Sequence, residues 1–233
     1  MLSKKELKLI SSTCSKFAFS DGLIEDSIKP FVQSLLSKEN SPGSTRELVT
    51  LERFGFENSE GKFDEDGICP KGHKLSPDRD RNAEIKTESP SATDGKFKCT
   101  GTFGVKTKET MKKFIGSDPI VGLAGYTDNG KCAYALSFDL KESDLPEKLM
   151  KSCDTGVAVK SGLRTVKDLE SLVVDYYNPK YEDLFTAPFK TLLETAMQNE
   201  KKKELTKKTV KELDVLFTTL SKDDKIRLLS NTA

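Results

Sequence analysis

The 233 residues contain no run of about 18 apolar residues, the length a helix needs to cross a bilayer, so no membrane span is expected. The opening Met1-Leu2-Ser3-Lys4-Lys5 leads into Glu6, Lys8, Ser11 and Ser12 rather than the continuous apolar stretch of a secretory signal. Cysteine is sparse: Cys14, Cys69, Cys99, Cys132 and Cys153 are odd in number and far apart. That excludes a disulfide framework and points to reduced thiols in a cytoplasmic protein. His73 is the single histidine, which removes Ser–His and Cys–His nucleophile schemes unless His73 is itself their base. Cys69-Pro70-Lys71-Gly72-His73 looks like half of a zinc site, but a structural zinc needs four ligands and no second close pair exists. Neither sign of charge is in excess. Lys plus Arg is 38 and Asp plus Glu is 37, a net charge of +1. A nucleic-acid partner would therefore have to be met by local basic patches rather than by the field of the whole molecule. Internal repeats are absent, and so are low-complexity tracts beyond Lys201-Lys202-Lys203.

What is present is a succession of helical and strand-like patterns. Leu7, Ile10 and Cys14 form a stripe over residues 5–17, and Ile24, Ile28, Phe31, Leu35 and Leu36 form another over 24–38, with Pro30 as a kink or restart. Pro42-Gly43-Ser44 breaks the pattern before a third helix carrying Leu48, Leu51, Glu52 and Phe54. Residues 57–82 are polar and turn-rich, with a short strand expected near 67–70. Strands are expected over 84–88 and 96–105, and a hairpin over 120–126 and 132–140 is signalled by Asn129-Gly130 between apolar runs. A short helix is predicted at 108–115. After Leu145 the pattern is read as helical again, over 166–177, 185–200 and 209–229. Helices, then a mixed sheet, then helices indicate an α/β or α+β fold with a mixed central sheet flanked by helices. The expected organisation is a single domain over 1–233, with a smaller helical lobe from about residue 145.

The stretch with the most chemistry is Pro77-Asp78-Arg79-Asp80-Arg81-Asn82-Ala83-Glu84-Ile85-Lys86. On a strand, Glu84 and Lys86 share one face while Ile85 points into the core. A tight turn through Arg79 to Asn82 would fold Asp78 back beside Glu84. Two carboxylates are hard oxygen ligands for Mg²⁺, and an ammonium beside them can orient water or stabilise charge on a phosphate. Asp80 competes for the same place. Asp64 or Asp66 would serve if the hairpin were longer, but Pro70, Gly72 and Pro77 interrupt such a ladder, so Asp78 is preferred.

Two segments together resemble a known family. Gly43 to Gly55 resembles the helix of the mismatch-repair nicking endonucleases (MutH-like), in which a helix ending in an apolar-Glu step precedes the active site. Ser76-Pro77-Asp78 followed by Ala83-Glu84-Ile85-Lys86 resembles that family's strand pair, which belongs to the wider PD-(D/E)xK nuclease superfamily. The resemblance covers about 45 residues. It implies a restriction-endonuclease-like core in which Asp78, Glu84 and the Ile85 carbonyl ligate Mg²⁺. Lys86 would sit by the attacking water, and Glu52 would support a second metal or position Lys86. Glu52 as a plain helix-surface carboxylate facing Arg46 or Arg53 is the alternative.

The implied partner is double-stranded DNA, bound by a monomer or homodimer. Candidate contacts are Lys106 and Lys108 from the lysine-rich 96–113 segment, Arg79 and Arg81 flanking the Asp turn, and His73 in its loop. The lysines at 201–211 alternate with Glu200, Glu204 and Glu212 and are read as i,i+4 pairing on an exposed helix. The expected activity is type II restriction cleavage. A partner-activated nicking repair endonuclease and a non-catalytic nucleic-acid-binding domain are the rivals.

Overall fold

A computed structural model of the protein describes residues 4–19, 28–36, 43–59, 66–162 and 170–219. The chain divides into two compact units, Met1–Leu193 and Glu194–Ala233. Residues 145–193 fall in the first unit.

Helices come first: α1 (Lys4–Phe19), α2 (Lys29–Leu36) and α3 (Gly43–Phe54). Pro30 sits in the first turn of α2, where its missing N–H costs no helical hydrogen bond. The expected start at Ile24 lies outside the described residues. The strands are β1 (Glu57–Asn58), β2 (Gly67–Cys69), β3 (Arg81–Glu88), β4 (Thr100–Phe103), β5 (Ile120–Tyr126), β6 (Cys132–Asp139), β7 (Val159–Gly162) and β8 (Val173–Tyr177). Between and after them lie α4 (Lys108–Gly116), α5 (Leu145–Thr155) and α6 (Ala187–Thr219).

The fold is α/β, with a six-stranded mixed sheet ordered β1-β2-β3-β5-β6-β8 and a separate two-stranded ladder of β4 with β7. β1, β2 and β3 pair antiparallel, whereas β3 and β5 run parallel. A parallel neighbour requires a crossover, and the chain from β3 to β5 makes it through β4 and α4. The 120–126 and 132–139 hairpin is present, closed by Thr127 N donating to the Lys131 carbonyl at 2.8 Å. All of β5 and nearly all of β6 is buried, the mark of strands covered on both faces. One core gathers Phe17, Val32, Leu36, Val49, Phe54, Ala83, Ile85 and Tyr126, joining the first three helices to β3 and β5.

Three expectations change. The 96–105 strand is confined to β4: Cys99 has a left-handed backbone (φ 51) that interrupts the extended run, and Phe97 before it makes an isolated bridge to Phe185. The segment 166–177, read as a helix, ends in β8, and its part over 166–169 lies outside the described residues. The helices expected over 185–200 and 209–229 are one continuous α6 as far as Thr219, and residues 220–229 lie outside the described residues.

Candidate active site

Helix α3 is oriented by polar as much as by apolar burial. Arg46 is only 5% exposed and Thr50 is fully buried, alongside Val49 and Phe54. Arg46 Nε donates to the Leu36 carbonyl at 2.8 Å and Nη1 to Ser89 Oγ at 2.8 Å. Thr50 Oγ1 and Tyr126 OH are bonded at 2.9 Å, and the Arg46 guanidinium lies 5.2 Å from the Tyr126 ring centre. Fixed this way, α3 leaves Glu47 half-buried, where its carboxyl feels the charges of Asp66, Lys86 and Glu84. Glu52 lies five residues on, about 140° around the helix. It is exposed and accepts a hydrogen bond from Ser11 Oγ. Glu52, the residue the apolar-Glu step singled out, is thus paired on the helix surface, and Glu47 is the carboxylate that α3 brings to β3.

The β2–β3 register decides which aspartate meets Glu84. Gly67 pairs with Ala83, Ile68 with Asn82 and Cys69 with Arg81, so the next position places Asp66 at Glu84. Gly67 itself has no room for a side chain: a Cβ there would lie 2.6 Å from the Glu57 carbonyl and 2.6 Å from Leu51 Cδ2. That close approach seats β2 against α3 and β1. Asp66 Oδ2 accepts the Ile85 N–H at 2.7 Å, capping the strand edge where β2 leaves β3. The ladder closes at Cys69 and Arg81, before Pro70, so prolines 70 and 77 interrupt nothing. Asp78 lies outside the ladder, exposed, with no bond to Glu84 or Lys86. The tight turn expected to fold it back does not form, because Arg81 already begins β3. Asp80 accepts the Lys71 N–H at 2.7 Å and serves the loop. Asp64 lies outside the described residues.

Glu84 and Lys86 do share one face of β3, as their spacing requires, with Ile85 fully buried between them. Lys86 Nζ is 2.5 Å from Glu84 Oε1, 3.1 Å from the Ile85 carbonyl oxygen and 3.7 Å from Asp66 Oδ2. Three oxygens therefore converge on one cationic position. Burial pushes the Glu84 carboxyl up; Lys86 pulls it back and Asp66 adds to the rise. For Lys86, burial works against the charge, but Glu84, Asp66 and Glu47 outweigh it and hold the ammonium above its ordinary range. Glu47 is raised as well, by burial first and then by Asp66, against the pull of Lys86. Three carboxylates and one lysine share a partly desolvated cluster in which negative charge is in excess.

The raised Glu47 carries a stability prediction. A carboxyl whose pKa is higher folded than unfolded stabilises fully below its unfolded value near 4.5, and that contribution is lost as pH rises through the folded value. Glu47→Gln is therefore expected to melt at a higher temperature than the wild type at neutral pH, with the gap closing as pH falls below about 4.5. Thermal melts across that range check it; a lower melting temperature at neutral pH contradicts it.

The basic residues expected at DNA are distributed unevenly. Lys106 is exposed, 5.2 Å from the Phe114 ring centre, and its charge favours the ionised form of Glu84. Lys108 is exposed and paired with Asp154. Arg79 is exposed and paired with Asp118 at 2.6 Å. Arg81 has a side chain only 9% exposed, held by Asp139 at 2.7 Å and Asp118 at 3.0 Å. His73 lies in the loop after β2. It is half-buried, edge-on to Phe56 with ring centres 5.1 Å apart, and its Nδ1 accepts the Leu75 N–H at 3.2 Å. Burial, then Lys74, lowers its pKa.

Among the described residues no group of three or more His, Cys, Asp or Glu side chains is disposed to hold a metal ion. The donor set that fits a hard divalent cation is smaller: two carboxylates, Asp66 and Glu84, with the Ile85 carbonyl, all already gathered around a cation. Also among the described residues, no helix is long and apolar enough to cross a membrane. The chain matches no protein-family model and none of the curated proteins.

Proposed function

We propose that the protein is a Mg²⁺-dependent endonuclease that hydrolyses phosphodiester bonds in double-stranded DNA at a specific sequence, as type II restriction enzymes do. The observation that carries this reading is the convergence of Asp66 Oδ2, Glu84 Oε1 and the Ile85 carbonyl oxygen around the Lys86 ammonium. Asp66 and Glu84 would hold the ion, with the Ile85 carbonyl as a neutral third oxygen. When bound, Mg²⁺ supplies a Lewis acid and lowers the pKa of its water. Lys86 is placed to orient the attacking water and to offset charge developing on the phosphate. Glu47 adds a carboxylate that either serves a second ion or holds Lys86 in place. Lys106, whose charge favours the ionised form of Glu84, provides positive charge for the DNA backbone. Cytoplasmic residence and action as a monomer or homodimer belong to the same reading, in keeping with five free cysteines.

The test is a mixed-sequence plasmid incubated with the purified protein, followed by mapping of the cut ends. Mg²⁺ or Mn²⁺ is expected to support cleavage. Ca²⁺ is expected to permit DNA binding without turnover, since its looser, larger coordination places the water poorly. Full activity in EDTA would rule the mechanism out.

A further inference from the structure

Lys86 is a long, flexible side chain, and a catalytic ammonium gains from being held within a fraction of an ångström of its working position. The other wall around it is β4, which belongs to the two-stranded ladder rather than to the main sheet. Gly101 and Phe103 share the inward face of β4, and both are buried. A Cβ on Gly101 would lie 2.7 Å from Lys86 Cβ and 3.0 Å from Cγ, so the lysine stem runs directly over the bare glycine backbone. The Lys86 Nζ stands 5.5 Å from the Phe103 ring centre, in range of a cation–π contact. β4 is fastened at its start. Glu88, two positions beyond Lys86 on the same face of β3, accepts Thr100 N–H at 3.0 Å and Thr100 Oγ1 at 2.7 Å. Its other carboxylate oxygen accepts the Tyr134 hydroxyl.

We infer that β4 is the positioning element for Lys86: Glu88 anchors it through Thr100, Gly101 leaves the channel for the lysine stem, and Phe103 faces the ammonium and sends it toward Glu84. Gly101, Phe103 and Glu88 are positioning residues and need not touch DNA. The catalytic consequence rests on the nuclease reading above; the placement of Lys86 does not.

The experiment uses the full chain with lysine labelled at Cε with carbon-13. The Lys86 signal is identified as the one missing from Lys86→Arg. Ring current from Phe103 is expected to move it upfield of the signals of lysines that face no ring; Lys131 and Lys106, over Phe17 and Phe114, are set aside. Phe103→Leu removes the ring and is expected to abolish that shift. Gly101→Ala intrudes on the stem and is expected to change it, while Thr102→Ser, on the exposed face of β4, leaves it alone. On DNA, Gly101→Ala is expected to lower kcat by ~10²-fold with KM unchanged, the scale of a misplaced catalytic group. If Gly101→Ala does not fold, Phe103→Leu carries the test. A Lys86 signal that is unshifted in the wild type, or the same in Phe103→Leu, would overturn the inference. A shifted signal that responds to both variants in a protein that cuts no DNA supports the placement and contradicts the nuclease reading, which separates the two failures.

Discussion

Asp66→Asn is expected to reduce Mg²⁺-dependent DNA cleavage by at least ~10²-fold, the usual scale for losing one preorganised electrostatic group, whereas Asp78→Asn is expected to cleave like the wild type. The contrast follows from strand register. Asp66 precedes the Gly67–Ala83 pair and reaches both the Ile85 N–H, at 2.7 Å, and the neighbourhood of Lys86, at 3.7 Å. Asp78 is exposed beyond the other end of the ladder. Asparagine keeps the size and one acceptor oxygen at position 66 but loses the charge, so the fold is expected to survive and DNA binding largely to remain. Cleavage rates with both variants on one plasmid substrate check it. Loss of activity in Asp78→Asn with full activity in Asp66→Asn would return the first metal ligand to the turn.

The second large effect concerns stability. Arg81→Ala is expected to destabilise the protein by about 3 kcal/mol, because Asp139 loses its cationic partner in a largely buried site, while Asp118 keeps Arg79 and Lys141. Arg81 is tied to Asp139 and Asp118, and it also donates to the Asp118 carbonyl at 2.8 Å and the Leu75 carbonyl at 3.1 Å. These contacts join the entry of β3 to the entry of β5 and the end of β6. Asp118 has a left-handed backbone (φ 59), a conformation that costs energy outside glycine and is maintained here by surrounding contacts. Arg79→Ala, at the same aspartate but exposed, is expected to cost less than about 1 kcal/mol. Urea unfolding of the two variants separates a structural arginine from a surface one. Equal, small losses would show that Arg81 is free for another role.

Much of the fold was legible in local patterns. Alternation of Ala83 and Ile85 with Glu84 and Lys86 marks a strand with a charged face, and Asn129-Gly130 marks the hairpin. The rest depended on contacts distant in sequence. The short strand expected near 67–70 is β2, but which aspartate reaches Glu84 is a question of register, and three residues do not fix the register of a strand. The ladder needed no length beyond Pro70. Glu52 was singled out by the apolar-Glu step of the resemblance; the burial of Arg46, which local pattern does not signal, leaves Glu52 on the surface and Glu47 half-buried among the charges of Asp66, Glu84 and Lys86. The Val173-Val174-Asp175-Tyr176-Tyr177 run is β-branched and aromatic, yet a short apolar run cannot be assigned by periodicity alone. Gly101 and Phe103 carry no sequence signal for their contact with Lys86; only the fold of β4 onto β3 reveals it.

The most direct measurement compares wild-type protein and Lys86→Ala on the same mixed-sequence plasmid in Mg²⁺, with folding of both confirmed by circular dichroism. Cleavage at discrete sites by the wild type, reduced at least ~10²-fold in Lys86→Ala, is the expected result. A wild type that leaves the plasmid intact, or a Lys86→Ala variant that cuts at the wild-type rate, would contradict a nuclease built on Asp66, Glu84 and Lys86.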